Sequence, residues 1–256
     1  MNYTINNQNY TIINDALNPN IFRIHFSYPN QSLINSLIKT KILQGSTSTD
    51  NYKTIQFKAN QIQTFKEYQT QNKIQKGTEK TSITDASKMI TTLVTQLKYM
   101  INFERRTFLG YNTNDLLIIN GNKCLYLGVD YICDIYNSNN SNNNNSNNNN
   151  SNILISFPFK PSDFFVSPEL LKIKEIPSYT HYKTSYFSLG CLIINILMAN
   201  DDFYKEYLKD KDLDKDKDLY LIKEYLNTTY FKETKLYWFL SRSLEEDPEK
   251  RSLLFI

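Results

Sequence analysis

Metal centres and disulfide frameworks both need residues that this sequence scarcely has. There are two histidines and three cysteines in 256 residues. Cys124, Cys133 and Cys191 form no Cys-x-x-Cys pair, so they read as free buried thiols of a reducing compartment. His25 and His181 stand alone, and an isolated histidine is by default an ordinary surface or half-buried side chain. An excess of one charge is lacking as well. The net charge is +3 with the basic pairs scattered, which gives no electrostatic case for nucleic acid or an anionic membrane. No apolar run approaches the ~20 residues needed to cross a bilayer, the longest being Tyr186 to Met198. The first residues, MNYTINNQNYTI, lack the charged stretch and apolar core of a secretory signal. The expectation is an intracellular protein.

Glycine (6) and proline (7) are scarce, while asparagine, isoleucine, lysine and tyrosine are heavily used. That bias is typical of A+T-rich coding, as in asparagine-repeat amoebal proteomes and the large DNA viruses that infect amoebae. It speaks to origin and not to chemistry. The hydrophobic share of 40% is enough for a substantial core, in one larger domain or two small lobes. Residues 137–152, NSNNSNNNNSNNNNSN, bury too little apolar surface to offset their ordering entropy and read as a disordered insertion. In KDKDLDKDKD, residues 209–218, Asp212, Asp214, Asp216 and Asp218 alternate like the start of a calcium loop. Lys217 stands where that loop needs glycine and Lys223 where it needs glutamate, so a solvated surface segment is expected.

Residues 40–58, TKILQGSTSTDNYKTIQFK, predict two short strands around a polar turn. Residues 84–103, TDASKMITTLVTQLKYMINF, predict a helix with Thr84 as N-cap and Asp85 in the first turn. Its apolar face is Met89, Leu93, Leu97 and Met100 or Ile101. In DLLIINGNKCLYLG, residues 115–128, two apolar runs flank Asn-Gly-Asn and predict a hairpin. Further on, FFVSPELLKIKEIPSYTHYKTSYFSLGCLIINILM, residues 164–198, sets a Ser-Pro-Glu turn before a helix with almost no polar face.

The order of these features resembles the C-terminal lobe of a protein kinase, over roughly residues 84–256. Ser167-Pro168-Glu169 is similar to the family's Ala-Pro-Glu, and SYFSLG at 185–190 to its Asp-x-Trp-Ser-Leu-Gly. EEDPEKR at 245–251 looks like its Asp-Pro-x-x-Arg. The resemblance implies an α+β, two-lobed protein kinase-like fold. Residues 1–80 would form a reduced, β-containing N-lobe and residues 81–256 a mainly α-helical C-lobe carrying the asparagine insertion. The apolar helix would be the central pillar of that lobe, enclosed by protein on all sides. Glu169 would pair with Arg251, a contact that argues fold and not activity.

Kinase catalysis uses a His-Arg-Asp-x-x-x-x-Asn loop and an Asp-Phe-Gly motif. FLGYNTNDLLII, residues 108–119, falls at the catalytic-loop position: Phe108 and Leu109 stand for His and Arg, and Gly110 for the catalytic Asp. Asp115 stands for the metal-binding Asn. A hairpin's length further on, Gly128-Val129-Asp130 stands for Asp-Phe-Gly. Ser185 replaces the Asp that holds the loop's backbone, and LQGSTSTD at 43–50 keeps only Gly45 of a glycine-rich loop. Lys58, in IQFKA, is the candidate ATP-contacting lysine with Glu67 as its candidate partner, an edge-strand solvating lysine being an equal reading. A shifted turn would present Asp130 together with Asp115 to magnesium.

The sequence therefore implies a pseudokinase that acts through a protein partner or as a regulator, with no required cofactor. ATP and magnesium would bind weakly at most, through Gly45, Lys58, Asp115 and Asp130. Two alternatives remain open. One is a divergent active Ser/Thr kinase using Asp115 and Asp130; the other is a structural or host-interaction protein of kinase ancestry.

Overall fold

Period-two alternation builds the first sheet. In β1 (Thr4–Asn6), β2 (Tyr10–Asn14) and β3 (Ile21–Phe26), every second residue is buried: Ile5, then Tyr10 and Ile12, then Phe22, Ile24 and Phe26. The computed structural model describes residues 4–76, 83–137, 151–160, 162–198, 222, 226–227 and 232–254. The chain is mixed α+β with antiparallel sheets, and it divides into two compact units. The first is Met1–Arg106 with Thr113–Asp130; the second is Thr107–Asn112 with Tyr131–Ile256. The boundary thus falls after Arg106, where the sequence suggests residue 80, because the helix and hairpin that follow residue 80 pack with the first unit.

After β3 comes α1 (Gln31–Lys39), capped by Asn30, whose Oδ1 accepts from the Leu33 N–H at 3.1 Å. The expected pair of strands then follows as β4 (Gln44–Thr49) and β5 (Thr54–Lys58), joined through Asp50, Asn51 and Tyr52, all at positive φ. The five strands run antiparallel in the order β1-β2-β3-β5-β4. Their core face carries Ile12, Phe22, Ile24, Ile55 and Phe57, with Phe22 stacked on Phe57 at 6.2 Å between centroids.

β6 (Ile62–Thr64) leads into α2 (Phe65–Lys76) through a capping box. The Thr64 Oγ1 accepts from the Glu67 N–H at 3.2 Å, and Glu67 Oε2 accepts from the Thr64 N–H at 2.8 Å. α3 (Ile83–Tyr99) buries Met89, Leu93 and Leu97 as the periodicity predicts. Two details of that helix are corrected. Thr84 is not its N-cap, since Ile83 is already helical and a cap residue is extended. The α-helix also ends at Tyr99, and Met100–Glu104 form a π-helical turn closed by Arg105 at φ 53°.

The chain crosses to the second unit in β7 (Arg106–Phe108) and returns for the hairpin β8 (Leu116–Ile119) and β9 (Lys123–Tyr126). Asn120 (φ 51°) and Gly121 (φ 73°) are both left-handed in the three-residue connection, Asn120 to Asn122, that joins the two strands. The Gln96 side chain of α3 grips β9 at both ends of its amide, donating to the Tyr126 carbonyl at 2.8 Å and accepting from its N–H at 3.1 Å.

In the second unit β10 (Ile132–Asn137) and β11 (Ser151–Ile155) pair antiparallel, so Asn137, Ser151 and Asn152 of the asparagine tract lie in strands. Residues 138–150 and the Asp-Lys tract at 209–218 lie outside the described residues. Next come α4 (Pro168–Leu171), β12 (Ser178–His181), α5 (Thr184–Met198) and α6 (Lys235–Ser243), with the sheet in the order β12-β11-β10-β7. Every residue of α5 from Phe187 to Leu197 is buried, which answers why the sequence gives it no polar face. Among the described residues no helix is long and apolar enough to cross a membrane.

At Gly190, α5 meets the end of α6 so closely that a Cβ would lie 2.7 Å from Ser243 Oγ and 2.9 Å from Leu244 Cγ. Gly190→Val must therefore separate the two helices. We expect it to cost about 2 kcal/mol, read as a lower urea midpoint at unchanged slope.

Candidate functional site

In the second unit, residues 107–111 form a fully buried segment clasped from several sides. The Thr107 hydroxyl donates to Ser185 Oγ at 2.9 Å, and the Tyr111 N–H donates to Ser188 Oγ at 2.7 Å. The Leu109 N–H donates to the Tyr131 carbonyl at 2.7 Å, and the Phe165 N–H to the Tyr111 carbonyl at 2.9 Å. Ser185 stands where an anchoring carboxylate is expected, yet the backbone is anchored all the same, by the neutral hydroxyl of Ser188 one helical turn further on.

Gly110 sits at the centre of this segment with the Phe164 ring pressed against its Cα. A Cβ there would overlap the ring, coming within 2.6 Å of Phe164 Cγ. Phe164 is itself fully buried, its ring centroid 4.9 Å from that of Tyr131 and 5.7 Å from that of Phe159. Beside it, burial pushes the Tyr111 phenol well above its ordinary range. Nothing in residues 107–111 offers a solvent-reachable base or nucleophile.

The candidates for nucleotide and metal binding lie in the first unit. Asp115, immediately before β8, is half-buried, and its Oδ1 accepts from Asn7 Nδ2 at 3.1 Å. Burial, and then the Asp115 charge, push the neighbouring Tyr10 phenol far up. Asp130 is exposed, and its Oδ2 accepts from Asn9 Nδ2 at 2.6 Å. Gly128 is closed in by the Tyr126 ring, whose Cζ would lie 2.5 Å from a Cβ built there. Each carboxylate thus accepts an amide hydrogen on one of its two oxygens, and among the described residues no group of three or more His, Cys, Asp or Glu side chains comes together.

Gly45 is at φ +58° in the irregular stretch of β4, where a Cβ would lie 3.9 Å from the Lys58 methylenes. The structure thus brings these two together as neighbours on adjacent strands. It does not bring Lys58 to Glu67: Lys58 is exposed without an ion-pair partner among the described residues, and Glu67 caps α2. A cavity of about 500 Å³ is lined by Asn14, Asn20, Phe22, Asn60, Ile62 and Glu67 among others, and among the described residues no lysine or arginine lines it.

The expected Glu169–Arg251 pair forms as a bidentate bridge in the second unit, Nη1 to Oε1 at 2.5 Å and Nη2 to Oε2 at 2.8 Å. The Arg251 side chain is 0% exposed and that of Glu169 17%. Nearby, burial and the Lys183 charge pull the His181 imidazole down to about 4, so it is neutral at physiological pH, with Nδ1 accepting from the Lys183 N–H. His25 is likewise ordinary, hydrogen-bonded to Thr54 Oγ1 at 2.9 Å.

Sequence reasoning missed Asn7, Asn9, Tyr126, Phe164 and Ser188. A turn of alternating asparagines between two short strands was the only signal for the first two. Neither known protein families nor curated proteins provide a match for this chain.

Two outcomes are expected. Glu169→Ala leaves the buried guanidinium poorly compensated and should cost about 3 kcal/mol in denaturant unfolding. Gly110→Asp should destabilise and yield no phosphoryl transfer, whereas adding Phe164→Ala should recover part of the lost stability by vacating the volume. Equal stability of Gly110→Asp and the parent chain would contradict the packing at this position.

Proposed function

We propose that this chain is a protein kinase-like domain that does not transfer phosphate. More narrowly, we read it as a pseudokinase acting through a protein partner. Support for the kinase-like arrangement comes from the bidentate Glu169–Arg251 pair and the enclosed helix α5. The observation that carries the loss of catalysis is the aromatic filling at Gly110. In-line transfer needs an acceptor hydroxyl oriented by a carboxylate and a developing charge neutralised by metal. At Gly110 there is no carboxylate, and Phe164 fills the space one would need.

The N-terminal chemistry points the same way. Active kinases pair a lysine on the third strand with a glutamate on the helix that follows. Here β3 (IFRIHF) carries no lysine, its buried positions being Phe22, Ile24 and Phe26, and the helix α1 that follows it in the chain (QSLINSLIK) contains no acidic residue. Lys58 lies on the fifth strand, outside that arrangement. The alternative of an active enzyme using Asp115 and Asp130 for magnesium would still lack a carboxylate at Gly110 to orient the acceptor hydroxyl.

The test is incubation of the purified protein with radiolabelled ATP and magnesium or manganese, alone and with generic protein substrates. No label should transfer, and ATP with either metal should raise the melting point by less than about 1 °C. Label that appears on the protein and vanishes in Asp115→Ala or Asp130→Ala would establish the active alternative.

A further inference from the structure

The cavity of about 500 Å³ lies within the first unit, between the end of β2, the turn into β3, the link from β5 to β6 and the start of α2. Hydrogen bonds fix each of these walls. Asp15 Oδ1 accepts from the Leu17 and Asn18 N–H groups at 2.9 and 3.2 Å, and its Oδ2 pairs with Arg23 at 3.0 Å, which stiffens the turn. The Ala59 N–H donates to the Asn20 carbonyl at 2.9 Å and ties that turn to the link. Asn120 Oδ1 accepts from the Asn60 and Gln61 N–H groups at 2.8 and 3.1 Å, and the Asn120 N–H donates to the Gln61 carbonyl at 3.0 Å. With the backbone so held, Asn20, Asn60 and Gln61 line the cavity with side-chain amides that bond to none of the described residues. Glu67 is the one charged side chain of the lining among the described residues, held by its capping bonds to Thr64. Pro19, Phe22 and Ile62 supply the apolar part.

We propose that this cavity binds a neutral monosaccharide. Its volume falls within the range of about 300–1,000 Å³ that small-ligand pockets occupy. An amide side chain sets a donor beside an acceptor, and a sugar hydroxyl both donates and accepts. Several hydroxyls on one ring can therefore meet the three amides together while another donates to Glu67. The C–H face of the ring suits Pro19, Phe22 and Ile62. An anionic ligand would instead face Glu67, with no lysine or arginine among the described lining residues to offset its charge. With one carboxylate among so many amides, recognition rests on hydrogen bonds more than on charge. The heavy use of asparagine along the chain accounts for surface amides, but not for a fixed hollow with a buried aromatic ring in its lining. The site stands on one unit and does not depend on the kinase-like reading.

Titration of the ¹⁵N-labelled full chain with D-glucose and with D-ribose, followed by amide chemical shifts, tests it. At least one sugar should move the amides of residues 20–22 and 60–63 and saturate with a Kd of about 1 mM, since each hydroxyl must displace water from an amide. Glucose 6-phosphate and glucosamine separate hydroxyl recognition from charge. The phosphate ester should bind more weakly than D-glucose, and the amino sugar no more than about threefold more tightly. Asn60→Ala/Gln61→Ala should weaken sugar binding at least about tenfold, the loss of two hydrogen-bonding side chains. Its amide shifts at Ile24 and Ile55 should match the parent and show the sheet intact. Gln8→Ala, which removes an exposed amide outside the cavity, should bind as the parent does. The proposal is overturned if neither sugar gives saturable shifts at residues 20–22 and 60–63, or if the double variant binds as well as the parent. Glucosamine binding where D-glucose and D-ribose do not would overturn it too. No arm uses ATP, so this site and the phosphate-transfer reading fail separately.

Discussion

A guanidinium has five N–H groups, and burying it is tolerable only if each finds an acceptor. Arg251 meets that condition. Its Nε donates to the Glu245 carbonyl at 2.6 Å, Nη1 to Glu169 Oε1 and the Lys183 carbonyl, and Nη2 to Glu169 Oε2 and the Glu246 carbonyl. The plane also lies over the Phe187 ring, 5.1 Å from its centroid. One side chain therefore fixes the start of α4, the turn before α5 and the loop after α6, which come from three separated stretches of sequence. Two of the five bonds go to the Glu169 carboxylate and three to backbone carbonyls, one just before α5 and two just after α6. The arrangement of the second unit follows from meeting that one charge.

Around this charge the interior works with neutral groups. α5 looks wholly apolar in sequence, yet its first turns carry Thr184, Ser185 and Ser188, all buried. Their hydroxyls bond to Ser167, Thr107 and the Tyr111 N–H respectively. A hydroxyl both donates and accepts and carries no ionic desolvation cost, so it can hold a backbone segment in a dry interior where a carboxylate would need further donors. This is why the segment around Gly110 keeps its shape although Ser185 is no acid.

Parts of the architecture were legible wherever the deciding contact is local or charged. Asn120-Gly121 announces its hairpin because few residues tolerate those angles, and the match of Glu169 with Arg251 was readable from two short motifs. The three opening strands were harder. The polar positions of the first two are asparagine and threonine, which resemble loop composition, although IFRIHF in the third alternates plainly once it is read in twos. Lys58 was assigned from its strand-like surroundings alone, and only the pairing shows that its strand lies between β3 and β4 and not at an edge of the sheet. Phe164 over Gly110 was not readable at all: a ring meeting a bare Cα far away in sequence leaves no trace in either local pattern. The same holds for the asparagine contacts to Asp115 and Asp130, which depend on how a turn and a hairpin are folded together.

The packing at Gly110 and Gly128 has a consequence for descent. Every glycine codon is a single base change from an acidic residue, so in the genetic code a carboxylate is always near at these positions. In the folded chain it is distant, since Phe164 and Tyr126 fill the space and each is held by its own neighbours. A lineage that had filled both places with aromatic rings would find the way back closed by a ratchet. Each first step would unsettle the interior before any chemistry existed for selection to favour, and the order of substitutions would matter more than their number.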